Sequence, residues 1–340
     1  MVSTKKQNET ILVANKKQAG SFKGRLMSRI DNLQLDSKYP GFIYALQKKY
    51  SQDQAGNLAA LITYYGFLSL FPLLVALLSV TQLSFLRAAH LRRVITKAML
   101  TYFPLIGHEL ESHAHAQQRA GIALIISVLL TIYGARGVAT VLQQAMDSIW
   151  LVPMGERASG IKQKLRSLAV IAATGLGFLA TGCLSAYGML SGGNTLLRIF
   201  AFIVSSALTF VIVLMVFKMS LSAGISFREL IRGSLIAAIG LQIIQALGGF
   251  LITHELKHFS SLYGSFAIVF VILFWIYLQV RIIIYSTEVD SVFYFNLRPR
   301  SITGFRLTEA DQRALTLYAK KENYLSRPRE KIKVKISAQH

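Results

Sequence analysis

Acidic residues and cysteine are scarce in this chain of 340 residues, which contains 16 Asp and Glu and a single cysteine. The lone Cys183 excludes a disulfide within the chain and a cluster of thiolate metal ligands. The acids are scattered, whereas a metal-dependent nuclease needs clustered carboxylates. No charge at all occurs between Asp53 and Arg87, a run of 33 residues. About 20 apolar residues cross a hydrocarbon core of about 30 Å, so this run predicts a membrane-spanning helix.

Uncharged apolar segments recur along the chain and predict an all-α polytopic membrane protein with six transmembrane helices. Two further segments, Pro40–Tyr50 and the stretch around Leu91–Tyr102, predict amphipathic helices that lie in the membrane interface. The six apolar segments are Asn57–Phe85, Ala120–Ala135, Ser167–Leu197, Ile199–Phe217, Gly233–Thr253 and Phe259–Val280.

Basic residues concentrate in two terminal segments, although the net charge of the whole chain is +21. The first 49 residues contain 10 Lys and Arg against 3 acids, and residues 296–340 contain 11 against 4. We therefore expect a basic N-terminal tail (1–39), a membrane domain (40–295) and a basic C-terminal tail (296–340), with both termini cytoplasmic. The residues from Thr308 to Asp311 predict the capped start of a short helix in the C-terminal segment.

These basic segments favour the lipid bilayer as the partner, with anionic phospholipids at its cytoplasmic face. Neither tail has the mixture of aromatic and basic residues that is typical of nucleic-acid modules, so no nucleic-acid partner is expected. The first 40 residues contain no apolar core of the kind found in cleavable signal peptides. We therefore expect no cleavable signal peptide.

Several motifs in the apolar segments resemble the YihY/BrkB family of bacterial inner-membrane proteins. The resemblance covers about residues 40–295. Before Glu288 the chain departs from it, because Tyr285-Ser286-Thr287 replaces a more usual Leu-Gly-Ala and Arg281 replaces an apolar residue. The motifs are Ala55-Gly56-Asn57-Leu58-Ala59, Leu68-Ser69-Leu70-Phe71-Pro72-Leu73, Gln143–Trp150, Tyr263-Gly264-Ser265, Phe274-Trp275-Ile276-Tyr277 and Glu288.

The resemblance implies six helices, cytoplasmic termini, location in the bacterial inner membrane and a poorly defined role in envelope integrity. The family once had the label ribonuclease BN, which was later regarded as mistaken. We expect a protein that is not an enzyme, with no cofactor and no catalytic residues.

Pro72 lies inside the first apolar segment, together with Asn57 and Ser69. A proline in a helix leaves the carbonyl four residues earlier, here that of Leu68, without its amide partner. Ser69 or a neighbouring helix is expected to satisfy it. Two interpretations stay open: a hinge that lines a pathway, or a static kink that serves packing.

Arg136 is the most prominent charge within an apolar segment. At the centre of a membrane a charge costs about 2.5–3.5 kcal/mol on insertion scales, and it usually faces a cavity or a partner. Asp147 is eleven residues away, about 16 Å along a helix, so the two cannot pair directly. Of the other plausible counter-charges, Glu288 and Asp290 on the sixth span, Glu288 is the expected partner, and snorkelling to the interface is the alternative.

Polar side chains also occur in the last two spans: Gln242, Gln245, Gln279, Arg281 and Glu288. Such clusters predict either a polar cavity between spans or hydrogen bonds between helices. Tyr263 and Gly264 belong to the same candidate set through the resemblance.

His254-Glu255-Leu256-Lys257-His258 matches the H-E-x-x-H pattern of zinc proteases. A third ligand is needed, and no suitable motif supplies it. His108, His113 and His115 lie in another segment that could meet it. We predict no metal site here.

Three classes of function follow from these features. The first is an envelope protein that transports an anionic or lipid-like substrate. The second is a membrane scaffold whose basic tails recruit partners or anionic lipid. The third, which the scattered acids disfavour, is a ribonuclease or a zinc protease.

Overall fold

A computed structural model gives the architecture of residues 38–82, 120–190, 195–254, 265–301 and 308–322, to which the following description refers. These ranges contain eight α-helices, one 3₁₀ turn at Met154–Glu156 and no β-strand. The helices are α1 (Lys38–Gln52), α2 (Ala55–Gln82), α3 (Ala120–Ile149), α4 (Gly160–Leu190), α5 (Thr195–Ser220), α6 (Phe227–His254), α7 (Ser265–Tyr294) and α8 (Glu309–Lys321).

The six helices from α2 to α7 are the long ones, with 26 to 31 residues each. At 1.5 Å per residue the shortest is about 39 Å long, which exceeds the hydrocarbon thickness of a bilayer. Among the described residues, four stretches are both long and apolar enough to cross a membrane: Leu124–Ile149, Gly160–Thr181, Ile199–Ser220 and Val269–Tyr294. The all-α membrane fold is therefore confirmed, while the number of six spans stays a prediction.

Neighbours in the chain pack against each other in this bundle. The α2–α3 pair has the most extensive contact, followed by α4–α5 and α6–α7, and α7 also packs against α2. Glycines allow the close approach of these pairs. A Cβ on Gly134 of α3 would stand 2.6 Å from the Cβ of Ser69 on α2, and a Cβ on Gly177 of α4 would stand 2.6 Å from Ile212 on α5. Small residues at helix contacts are typical of membrane bundles.

Large apolar side chains cover the outside of the bundle. Phe270 is 68% exposed, Leu176 69% and Leu129 63%, and many similar residues lie along the same helices. Exposure of so much apolar area to water would be unfavourable, whereas contact with the hydrocarbon core of a membrane is favourable.

One end of the bundle carries the charges, and we call it the α1 end. Here α3, α5 and α7 finish, and α2, α4 and α6 begin, with α1 and α8 attached. A small apolar cluster of Val292, Leu297 and Ala314 packs with Phe42 and Leu46 and joins α7, α8 and α1. The predicted interfacial helix at Pro40–Tyr50 lies within α1, whereas the one around Leu91–Tyr102 lies outside the described residues. The capped start of α8 at Thr308 is confirmed, because the Thr308 hydroxyl accepts the Asp311 amide and the Asp311 carboxylate accepts the Thr308 amide.

Candidate functional site

A buried ion network occupies the α1 end, and Lys49 lies at its centre. The Lys49 ammonium donates to Asp53 at 2.6 Å, to Glu288 of α7 at 2.7 Å and to the carbonyl oxygen of Ile149 at 2.8 Å. The side chains of all three charged residues are completely buried. Lys321 of α8 completes the network through a 2.8 Å bond to Asp53. Two ammonium groups thus neutralise two carboxylates.

Burial by itself would lower the pKa of Lys49, because a low-dielectric surrounding disfavours the charged form. The adjacent carboxylates of Asp53 and Glu288 outweigh this effect, so the pKa of Lys49 lies above its usual value. The lysine is therefore charged at every physiological pH. It acts as a fixed ionic link between α1, the end of α3 and α7.

A second ionic group beside this network attaches α8. The Asp311 carboxylate accepts hydrogen bonds from the Arg300 guanidinium at 3.0 Å, the Lys48 ammonium at 3.2 Å and the backbone amide of Ser301 at 2.9 Å. Burial acts to raise the pKa of Asp311, but the hydrogen bonds from Ser301, Arg300 and Thr308 and the charge of Lys48 hold this pKa below its usual value. Both ionic groups connect α1 with residues after the last span.

Arg281 is half-buried among tyrosine rings and forms no salt bridge with Glu288, although the two lie seven residues apart on one face of α7. Its guanidinium carbon lies 5.4 to 5.9 Å from the ring centres of Tyr50, Tyr277 and Tyr285. Tyr50 and Tyr285 stack at 4.1 Å, and the Tyr285 hydroxyl donates to Gln47 of α1 at 3.1 Å. Cation–π contact of this kind stabilises a positive charge at the edge of an apolar region. The arginine thus packs α7 against α1 where the family resemblance would place an apolar side chain.

Two further buried carboxylates join the helix ends. Asp147 of α3 accepts both the amide and the hydroxyl of Ser222, each at 2.7 Å. Asp290 of α7 accepts the amide of Gly233 at 2.7 Å, and its other oxygen is buried without a partner among the described residues. A side chain at position 233 would collide with Asp290 and with the carbonyl of Ser286.

The first-span candidates do not form a common site. Asn57 is exposed in the first turn of α2, and Pro72 is half-buried inside this helix. The Ser69 hydroxyl donates to the carbonyl of Gly66 at 2.9 Å, not to that of Leu68 as expected. The Ser69 hydroxyl is thus hydrogen-bonded within its own helix, and its Cβ is the atom that Gly134 of α3 packs against.

Arg136 is exposed on the outside of α3, and the expected ion pair with Glu288 does not occur. Depth along the bundle is the reason. Glu288 shares Lys49 with the carbonyl of Ile149, so it lies at the level of the end of α3. Arg136 is thirteen residues earlier in α3, which corresponds to about 20 Å. No carboxylate of the described residues forms a salt bridge with Arg136.

Gln242, Gln245 and Gln279 are half-buried on α6 and α7. Tyr263 and Gly264 lie outside the described residues, as do Glu255 and His258 of the H-E-x-x-H pattern. Within the part of the chain that the structure describes, no three His, Cys, Asp or Glu side chains are grouped as metal ligands would be.

Sequence reasoning missed the centre of the ion network. Lys49 and Asp53 stand four residues apart, a spacing that favours an ion pair on one helix face, but this signal usually marks a solvated surface pair. Their burial depends on Glu288 and Lys321, which are more than 230 residues away in the chain.

A bundle of long apolar helices with outward-facing apolar side chains and one ion-paired end defines a polytopic membrane protein. The sequence profile of the family described as virulence factor BrkB matches residues 46–301, and the chain belongs to this family. It is 22% identical over 266 residues to "Putative ribonuclease-like protein YfkH" of Bacillus subtilis (strain 168), covering 74% of this chain and 95% of that protein. It is also 22% identical over 272 residues to a UPF0761 membrane protein of Psychrobacter sp. (strain PRwf-1), covering 75% of this chain and 48% of that protein. No solved structure matches the chain.

Proposed function

We propose that this protein binds an anionic, lipid-like molecule at Arg136 and moves it across the bacterial inner membrane without a catalytic step. The single observation that carries the proposal is the exposed guanidinium in the middle of a span. Arg136 is twelve residues from the start and thirteen from the end of the apolar stretch Leu124–Ile149. It is therefore about 18–20 Å from either end, at the depth of the hydrocarbon centre.

The surroundings of Arg136 favour the outer surface of α3 as the route. Ile125, Leu129, Tyr133 and Arg136 follow one another at helical spacing, and all four are exposed. This stripe resembles a lipid-facing surface with one charge added. An anionic headgroup that passed along it would provide the counter-charge that the described residues lack, and would offset the cost of about 2.5–3.5 kcal/mol for a charge at this depth.

Close packing on the opposite side of α3 supports the same route. Gly134 stands against Ser69 of α2, and Gly137 stands against the ring of Tyr65. These contacts leave no room for a solute between α2 and α3 at the level of Arg136. A substrate that meets the arginine would thus approach from the lipid side, which suits an amphiphile better than a soluble ion.

The test uses purified full-length protein in proteoliposomes that contain a fluorescent acyl-labelled phosphatidylglycerol. Accessibility of the label to a membrane-impermeant quencher measures movement between leaflets. We expect Arg136→Leu to slow this movement about tenfold or more, since a lost charge contact is worth more than about 1.4 kcal/mol at this depth. Arg136→Lys should retain part of the movement, because the lysine keeps the charge. Arg228→Leu is the matched control, since Arg228 is an exposed basic residue at the α1 end of α6. Full movement in Arg136→Leu would refute the proposal.

A second function, a membrane scaffold, is favoured by the attachment of α8. Because Asp311 binds Lys48 of α1 and Lys321 binds Asp53 just after α1, the basic sequence after Glu322 starts from a defined place beside the bundle. Cytoplasmic termini would place this sequence next to anionic lipid and soluble partners. Deletion of residues 323–340 would then abolish envelope integrity in cells, whereas Arg136→Leu would not; the transport proposal expects the opposite pattern.

A further inference from the structure

A polar cleft opens at the α1 end, between the last turns of α3 and the segment that leads into α4. Its volume is about 320 Å³. Its polar lining includes Gln144, Asp147, Ser148, Arg157 and Gln163. None of these takes part in the Lys49 network, and the cleft lies about 16 Å along α3 from Arg136.

Arg157 supplies an unused donor in this cleft. Its Nε donates to the carbonyl of Val152 at 3.2 Å, which holds the side chain in place. Its Nη2 is buried and has no hydrogen-bond partner among the described residues. An unsatisfied buried guanidinium nitrogen is costly. Nη2 has no accessible surface of its own, so a small turn of the guanidinium towards the cleft would bring it to an anionic acceptor, which would satisfy it with a strong charge-assisted hydrogen bond.

Asp147 does not oppose an anion as strongly as its charge suggests. Both of its oxygens accept hydrogen bonds from Ser222, which directs the carboxylate towards that residue. Arg166 also donates to the Ser222 hydroxyl at 3.1 Å. The charged residues in and around the cleft still leave a net positive charge, because two arginines and the exposed Lys162 and Lys164 outnumber Asp147 and the exposed Glu156.

We propose that this cleft is a binding site for a phosphoryl anion, either the headgroup of a phospholipid or a free phosphate ester. A guanidinium with a free N–H group next to neutral donors such as Gln144 and Gln163 suits phosphate oxygens, because these offer several acceptors to planar donors. The cleft lies where α3 ends and α4 begins, which is the level of the headgroups if the apolar stretches of both helices span the bilayer. The site does not depend on movement of a substrate past Arg136.

The test measures binding to the full-length protein in two arms. In the first arm, nanodiscs of phosphatidylcholine carry the protein, and calorimetry follows the binding of glycerol 1-phosphate. In the second arm, nanodiscs with added phosphatidic acid are used, and native mass spectrometry counts the anionic lipids that remain bound. We expect Arg157→Gln to weaken binding at least about tenfold in the arm that contains the true ligand, since it removes a charge-assisted hydrogen bond. Arg228→Gln is the matched control and should bind as the wild type does.

The outcomes separate the two sources and can overturn the proposal. If Arg157→Gln loses binding only in the second arm, the ligand is a lipid headgroup. If Arg157→Gln loses binding in the first arm, the ligand is a free phosphate ester. If Arg157→Gln is not monodisperse, Gln144→Leu replaces it, because the exposed Gln144 lines the cleft without being part of the core. Absence of wild-type binding in both arms, or equal binding by the folded cleft variant and Arg228→Gln, overturns the proposal. Arg136→Leu should leave this binding intact even where it abolishes movement, so the two proposals fail separately.

Discussion

Replacement of Lys49 by methionine tests whether the buried ion network holds the α1 end together. Methionine nearly preserves the shape of the side chain, being one atom shorter, but removes the charge. This leaves Asp53 and Glu288 without their shared cation, and both of these side chains are completely buried. Removal of one partner from a buried ion pair typically costs 3–5 kcal/mol, because the remaining charge is uncompensated. We therefore expect Lys49→Met to lower the free energy of unfolding by about 3–5 kcal/mol. The Lys321 contact with Asp53 persists and places the value towards the lower end of this range.

Reversible unfolding in mixed detergent micelles measures this loss, and the fluorescence of Trp150, buried beside Ile149, reports it. The double variant Lys49→Met/Glu288→Gln removes one of the two stranded charges and should recover part of the stability. As a control, Arg313→Met breaks an ion pair with Glu309 in which both side chains are largely exposed, and it should have little effect. The reasoning fails if Lys49→Met unfolds within about 1 kcal/mol of the wild type, or if the double variant is no more stable than the single one.

Three further changes test other contacts by the same unfolding measurement or by hydrogen exchange. Gly233→Ala should destabilise the protein by about 1–3 kcal/mol, since its Cβ would collide with another helix, whereas Gly175→Ala meets nothing and should be neutral or stabilising. Ser222→Ala should cost about 1–3 kcal/mol, because the buried Asp147 loses one of its two hydrogen bonds, and an unchanged stability would contradict this role. The pKa of Asp311 is lowered in the folded protein, so its contribution to stability is complete above the usual aspartate pKa and is lost as the pH falls through the lowered value. The protection of α8 amides, taken relative to their intrinsic exchange rate at each pH, should therefore fall with acid in the wild type and be low at every pH in Asp311→Asn.

The membrane fold was predictable because apolar length is a local property of the sequence. The run between Asp53 and Arg87 and the stretches within α3, α5 and α7 each identify a helix without knowledge of their neighbours. The capped start of α8 was equally local, since it depends on Thr308 and Asp311 three residues apart.

The charge partners were not predictable in the same way. The expected pairing of Arg136 with Glu288 required both to lie at one depth, and depth depends on how far each helix extends beyond its neighbours. Glu288 binds Lys49 because α1 folds back against the end of α7, and no periodicity in α1 indicates this. Lys49 also had the features of a surface residue, and only its distant partners make its burial tolerable.

The Lys49 network also has a consequence for the order in which the chain is made. Lys49 and Asp53 leave the ribosome before any of the long helices, but their partners Glu288 and Lys321 follow 239 and 268 residues later. Throughout synthesis of the intervening helices, α1 has charges that cannot yet be buried, so it must remain in contact with water or lipid headgroups. Closure of the α1 end is therefore a late event of biogenesis, which can occur only after α7 has been inserted and α8 has emerged. A chain truncated before Lys321 would lack one of the two ammonium groups that neutralise the network.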